Sequence, residues 1–476
     1  MNRRDFLANG ILAAGALAPL PAFAAPAQND GDPAAHVTVR TDRPLGTVAP
    51  DFIGLGYEIS SVARSGLLNS ANRVYVQLVR TLSPRGVIRI GGNTSDFAHY
   101  SPTAPAVSSG RGTVVNDAVI GALGGFLDAT GWRLIWGLNL GTGSEAEAIE
   151  EAKAVLAAAG DKLLAFEIGN EPDLFGRAKH RKPEYSYEDW LIEYRRYKAA
   201  LRERFPRIPF AGPDAAGKTD WVTRFAADEG KDAVLLTHHY YREGQNPTST
   251  IEKLLGIDPK LQPQLTQLSA AAHACGLPYR ICEVNSFSGG GRPGVSDTMA
   301  GALWALDYMF TLAANGCSGV NMETGVNHLD FISSYSPIGD DEQGHYSAKP
   351  EYYGMLAFSL AGKGQLLSVD MDAGSPDLKA YAAQPNQKTL TLALINKGAR
   401  RSSFAVELGS QIHGGQASAI RLSGPAVDAR SGIALGGAEV TPAGAWRSTK
   451  PERIRVSNGR LNIDLSPASA AIVEIA

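Results

Sequence analysis

The sequence predicts a (β/α)8 TIM barrel followed by an all-β sandwich domain, on three observations. Short apolar runs alternate with amphipathic stretches eight times before residue 325, the signature of parallel strands joined by helical crossovers. After about Phe358 helical periodicity stops, and short alternating strands separated by polar turns take over. The first strand runs into Gly56-Tyr57-Glu58-Ile59-Ser60, which lacks the glycine-rich phosphate turn usual in a doubly wound open sheet. A length of 476 residues accommodates a barrel of about 250 residues or more and a second module.

The chain begins with Asn2-Arg3-Arg4-Asp5-Phe6-Leu7, an apolar run over 10–18 and Ala22-Phe23-Ala24. A positive start, an apolar centre and a small-x-small exit predict an export signal over 1–24, with paired arginines of the twin-arginine type. The apolar run is too short to span a bilayer core of about 30 Å as a helix. A periplasmic or secreted protein follows, with no membrane attachment after cleavage. Residues 25–35 read as a linker. The alternation over 36–48 predicts a strand that joins the distant β-sandwich.

The catalytic barrel is placed at 49–357. Its strands are expected at 52–59, 86–92, 133–140, 163–170, 208–213, 233–240, 278–284 and 319–324. Helical stretches lie between them at 72–82, 118–130, 146–159, 187–203, 221–227, 264–273 and 297–314. The sandwich is placed at 358–476, with strands at 378–383, 389–396, 403–408, 417–423, 453–456, 461–465 and 471–475. A net charge of −3 offers no polyanion-binding surface, which argues against a nucleic-acid partner. The three cysteines, 275, 282 and 317, form no metal-ligand pattern and read as small buried residues; 282 and 317 are the pair best placed to bridge.

Barrel chemistry sits at the C-terminal ends of the strands. Those ends deliver Tyr57 and Glu58, then Arg89, Asn93 and Asp96, then Asn170 and Glu171, Asp214, His238 and Tyr240, Glu283 and Asn285, and Glu323. Strands four and seven lie on opposing sides of the mouth, so Glu171 and Glu283 can straddle a sugar. Two carboxyl groups so placed are what glycoside hydrolysis requires. Phe166, Trp136 and Pro172 offer apolar walls that raise the acid's pKa, and Arg89 and Tyr240 keep its partner ionised. Asp214 and Glu323 read as structural carboxylates of the mouth, and Asp96 as a helix cap. Glu58 faces the cleft or lies beneath it. His238 and His239 have no carboxylate at ligand spacing in the sequence and read as hydrogen-bonding groups rather than metal ligands.

Asn170-Glu171-Pro172 at the end of strand four, with a glutamate ending strand seven, resembles the retaining clan A hydrolases. Three further strings narrow the resemblance: Arg89-Ile90-Gly91-Gly92-Asn93-Thr94-Ser95-Asp96-Phe97, His238-His239-Tyr240-Tyr241, and Glu283-Val284-Asn285-Ser286 running into Gly289-Gly290-Gly291. Together, over about residues 37–476, they resemble glycoside hydrolase family 79, the β-glucuronidases and heparanases. The resemblance implies Glu171 as general acid/base, Glu283 as nucleophile, Asn170 on the sugar's 2-hydroxyl and Tyr240 orienting Glu283. It implies backbone amides of Gly289 and Gly290 on the substrate's carboxylate. Asn93 stands where heparanase has a threonine. Bacterial exo-acting relatives carry a tyrosine shortly after the nucleophile; Phe287 and Ser288 stand there instead, and Tyr335 is the substitute candidate. No cofactor or metal is implied.

Independently of the family, the loop Gly176–Lys182 (GRAKHRK) puts positive charge just after the acid, with Arg242 and Arg292 expected at the same rim, a field suited to an anionic sugar. The expectation is therefore a retaining, exo-acting β-glucuronidase acting on terminal glucuronic acid or its 4-O-methyl form in glycans or glycosides. The alternatives are an endo-acting, heparanase-like hydrolase, a non-catalytic sugar-binding relative, and a hydrolase for another terminal sugar such as xylose or glucose.

Overall fold

A computed structural model describes residues 35–325, 333–341, 343–409 and 414–476. The expected export signal and all but the last residue of the linker lie outside them. Eight parallel strands form the central sheet: β1 (Gly54–Glu58), β2 (Val87–Gly91), β3 (Arg133–Leu138), β4 (Leu163–Ile168), β5 (Ala211–Ala215), β6 (Leu235–Gly244), β7 (Tyr279–Ser288) and β8 (Val320–Glu323). Their order is β4-β3-β2-β1-β8-β7-β6-β5. The Phe166–Phe210 bridge draws the two ends together, with the Phe166 N–H on Pro209 O at 2.9 Å. The result is the predicted (β/α)8 barrel. Strands β1, β2 and β8 are buried at every residue, because helices cover one face and the barrel interior fills the other.

Four helices of the outer ring start where a polar side chain takes an orphan N–H. Asn72 caps Arg73–Leu82, Asn116 caps Asp117–Thr130, and Ser144 caps Glu145–Ala159. Ser186 and Asp189 form a reciprocal capping box at the start of Tyr187–Arg204. That helix buries Tyr187, Trp190, Tyr194, Tyr197 and Leu201, a stripe at three- and four-residue spacing. Trp190 packs 5.6 Å from Trp221 of the next helix, Thr219–Glu229. Helices Leu261–Cys275, Met299–Ala314 and Pro350–Ala361 complete the ring.

The second sheet is antiparallel except at one pair. Ala35–Thr47 lies between Gln365–Asp372, to which it is antiparallel, and Ser402–Glu407, to which it is parallel. The sheet closes on itself where Gly414–Ser423 pairs with Ser469–Ile475, so its two faces belong to one continuous hydrogen-bonded sheet. It encloses a core of its own, including Val37, Leu392, Phe404, Leu461 and Val473. All three cysteines are free thiols, correcting the suggested 282–317 bridge: the Cys317 Sγ donates instead to the Gly319 carbonyl, and Cys282 is buried in the barrel. Among the described residues, no helix is long and apolar enough to cross a membrane.

Candidate active site

The site is assembled around a buried arginine. Arg89 points from β2 into the barrel and is fully buried. Its Nε donates to Glu167 Oε2 (3.2 Å), Nη1 to Glu283 Oε2 (2.8 Å), and Nη2 to both Asn170 Oδ1 (2.7 Å) and Asp214 Oδ2 (2.6 Å). One planar guanidinium therefore ties β2 to β4, β5 and β7. Burial opposes the charge on Arg89, but Asp214, Glu167 and Glu283 outweigh it and raise its pKa.

Glu171 follows β4 with φ of 51°, in the left-handed region, and its N–H donates to Asp214 O at 3.0 Å. A glutamate holds this conformation only where its surroundings enforce it. Its Oε1 lies 3.0 Å from His239 Nδ1, while His239 Nε2 lies 2.7 Å from Asp214 Oδ1. Both ring nitrogens face carboxylates, so the charged imidazolium satisfies both contacts. Burial works against that charge, but Asp214 and Glu283 raise the His239 pKa well above its ordinary value. Burial raises the Glu171 pKa despite the His239 hydrogen bond, with the Glu283 charge adding to the rise. Asp214 goes the other way: burial would raise it, and Arg89 with His239 hold it below the usual carboxylate range.

Glu283 ends up opposite Glu171. Its Oε2 accepts from Arg89, and its Oε1 accepts from the Tyr241 hydroxyl at 3.0 Å. One carboxylate oxygen of Glu171, one of Glu283 and a nitrogen of His239 all lie within 4.8 Å of one another. These three residues have the donor types to hold a metal ion. Sequence spacing offers the histidine pair no ligand partner, but barrel closure brings carboxylates to His239, which hydrogen-bonds with two of them. Its partners come from β4, β5 and β7, invisible to sequence spacing. His238 points elsewhere, and burial lowers its pKa to about 3.

Tyr240 does not orient Glu283. Its hydroxyl donates to Asp258 Oδ2 at 2.7 Å, and its ring stacks on Tyr308. Successive residues on β6 point to opposite sides of the sheet, so the neighbour Tyr241 takes the inward place. Asp96 caps no helix through its side chain: it accepts the N–H groups of Leu140, Gly141 and Asn170, pinning the loops after β3 and β4. Asp173, which the sequence did not single out, does the same for the loop after β5 through Ala216, Gly217 and Lys218.

The cleft above this network encloses about 570 Å³. Glu171, Glu283, Asn93, Tyr240, Gly289, Gly290 and Tyr335 all line it, as do Glu58, Tyr241 and Glu323. Asn170 accepts from Arg89 at Oδ1, and its Nδ2 is buried with no partner among the described residues. Glu58 accepts the N–H groups of Asn93 and Thr94, and burial followed by the Glu283 charge raises its pKa to about 7. Gly289, Gly290 and Gly291 have φ of 79°, 89° and 78°, which turns the β7 exit back toward Ser334 and Tyr335. From the basic loop, Arg177 reaches the cleft, whereas Arg181 pairs with Glu193 and Lys182 with Asp189. Lys260, not singled out from the sequence, also lines it. Arg242 instead donates to the Gly256 and Ile257 carbonyls, and neither it nor Arg292 lines this cleft.

Comparison with known proteins bears on both halves of the chain. Residues 380–472 match the family described as the glycosyl hydrolase family 79 C-terminal beta domain. A β-glucuronidase of Aspergillus niger is 27% identical over 489 aligned positions, covering 90% of this chain and 88% of the relative. A β-glucuronidase of Neurospora crassa is 26% identical over 430 positions, covering 76% and 75%. The solved structure of a 4-O-α-L-rhamnosyl-β-D-glucuronidase from Fusarium oxysporum superposes with a TM-score of 0.76 at 18% identity, over 92% of this chain and 99% of that one. The last is a likeness of fold.

Proposed function

We propose that this glycosidase, related to glycoside hydrolase family 79, is a retaining, exo-acting β-glucuronidase. The single observation that carries the mechanism is the Glu171–Glu283 pair. One oxygen of each carboxylate within 4.8 Å of the other supports the close pair of a retaining enzyme, about 5–5.5 Å, over the wider pair of an inverting one. The two acids sit in different settings. Glu283 receives hydrogen bonds from Arg89 and Tyr241, which suits an anionic nucleophile. Glu171, its pKa raised by burial, suits a proton donor.

In the first step Glu171 protonates the leaving oxygen as Glu283 attacks the anomeric carbon, giving a glycosyl–enzyme ester. In the second, Glu171 takes a proton from water, which attacks the same carbon and frees Glu283. His239 holds Glu171 in place, and Asn170 offers its free Nδ2 to the sugar's 2-hydroxyl. A uronate carboxylate is served by the Gly289–Gly290 turn, Tyr335, and the positive Arg177 and Lys260. The β-glucuronidase relatives support this glycone. The twin-arginine-like start supports a periplasmic or secreted location.

A panel of aryl β-glycosides (glucuronide, 4-O-methyl-glucuronide, glucoside, xyloside) assayed on wild type and Glu283→Gln tests the reading. Hydrolysis confined to the glucuronides and lost in Glu283→Gln is expected. Preference for a neutral glycone, or equal activity in the variant, would contradict it.

A further inference from the structure

The carboxyl of Glu323 is the unexplained group of the cleft. It ends β8, lines the cleft and is buried at 3% exposure, yet among the described residues neither of its oxygens has a hydrogen-bond partner. The other carboxyls around it are all engaged: Glu58 by Asn93 and Thr94, Glu167 and Asp214 by Arg89, Glu283 by Arg89 and Tyr241, Glu171 by His239. A buried carboxyl with two idle oxygens is expensive unless something completes it. Gly56 on β1 makes room for it, since a Cβ there would come 2.8 Å from Glu323 Oε2.

We propose that Glu323 is the residue that selects a charged glycone, donating its carboxyl proton to the uronate carboxylate of the bound sugar. This rests on the β-glucuronidase reading and assigns a further specificity group within that site. The groups facing Glu323 are Tyr57 and Glu58 from β1, Arg89 from β2, His239 and Tyr241 from β6, Glu283 from β7 and Tyr335 from the segment after β8. Burial, then the charges of Glu283 and Glu58, raise its pKa well above that of an ordinary glutamate, against the opposing effect of Arg89 and His239. A neutral acid can donate to an anion; an ionised one would repel it. Tyr335 joins Glu323 to the Gly289–Gly291 wall, because Gly291 packs against the Tyr335 backbone. Glu323, Gly289, Gly290 and Tyr335 thus line one cleft, and together they offer a carboxylate a proton donor, backbone amides and a phenol.

The test is KM for an aryl β-glucuronide from pH 5 to 8, on wild type, Glu323→Gln and Glu323→Asp, with the aryl β-glucoside as neutral control. In wild type, KM for the glucuronide is expected to rise about tenfold per pH unit once Glu323 ionises. Glu323→Gln, which cannot ionise and keeps an N–H donor, is expected to flatten that rise to about threefold or less over the range. If either variant fails to fold, inhibition of wild type by free glucuronate and by glucose decides instead: glucuronate inhibition weakens with pH and glucose inhibition does not. A Glu323→Gln slope matching wild type, or equal pH dependence for the charged and neutral ligands, overturns the assignment to Glu323 alone. Absence of any glucuronide hydrolysis by wild type overturns the parent reading instead.

Discussion

At Glu283 and Glu171 the same side chain is given two chemistries by its surroundings. Arg89 and Tyr241 occupy both oxygens of Glu283, whereas Glu171 touches His239 through one oxygen and is otherwise walled by burial. Glu171→Gln is expected to lower kcat about 1,000-fold on a glucuronide with a poor leaving group, and much less on an activated aryl one. Comparing the two substrates checks this; equal losses would contradict a proton-donor role. Glu171 acts in its protonated form, and burial raises its pKa, so the alkaline limb of the kcat profile falls above the ordinary glutamate range. His239 lowers that pKa, so His239→Asn is expected to move the limb to higher pH. A pH–rate profile of both proteins reads the shift, and a downward move contradicts the role given to His239. Tyr241→Phe is expected to cost about 10- to 100-fold in kcat, and Tyr240→Phe clearly less, because Tyr240 bonds Asp258 instead.

The strands were the most legible elements, and side-chain direction on them the least. Barrel strands are covered on both faces, so VIRIG and LLAFEI read as continuous apolar runs and mark themselves. That same double burial removes the alternation that would tell inward from outward. In His238-His239-Tyr240-Tyr241 every residue is large and at least partly polar, so nothing in the string says that His239 and Tyr241 face the chemistry. Arg89 was legible as a residue at the end of β2, but its simultaneous hold on β4, β5 and β7 follows only from barrel closure. Replacing it leaves Glu167 and Asp214 as buried acids with a partner missing. Arg89→Met is therefore expected to destabilise the protein by about 3–5 kcal/mol as well as to abolish activity. Denaturant unfolding measures it, and a loss below about 1 kcal/mol would show that the clamp serves catalysis alone.

Across the whole molecule, several acids are buried deeply enough that desolvation outweighs their hydrogen bonds and, for Glu58 and Glu167, the nearby Arg89 charge. Burial is the largest cause in raising Glu58, Asp96, Glu151 and Glu167 to about 7. The folded protein keeps these protons to about pH 7, while the unfolded chain releases them near about pH 4. Their contribution to stability is full below the unfolded value and is lost as pH rises toward 7. Asp214, depressed in the folded state, has the opposite dependence and loses its contribution only in acid. The melting temperature is therefore expected to fall by several degrees between pH 5 and pH 8, read by calorimetry. A rise over that window would mean that these carboxyls are ionised in the fold.

The central claim, a close carboxylate pair performing double displacement on a glucuronide, meets its most direct test in the stereochemistry of the first product. Proton NMR of an aryl β-D-glucuronide during the first minutes of hydrolysis resolves the two anomers of free glucuronate before they equilibrate. The account predicts that the β anomer appears first and the α anomer only by later mutarotation. The α anomer appearing first would contradict it.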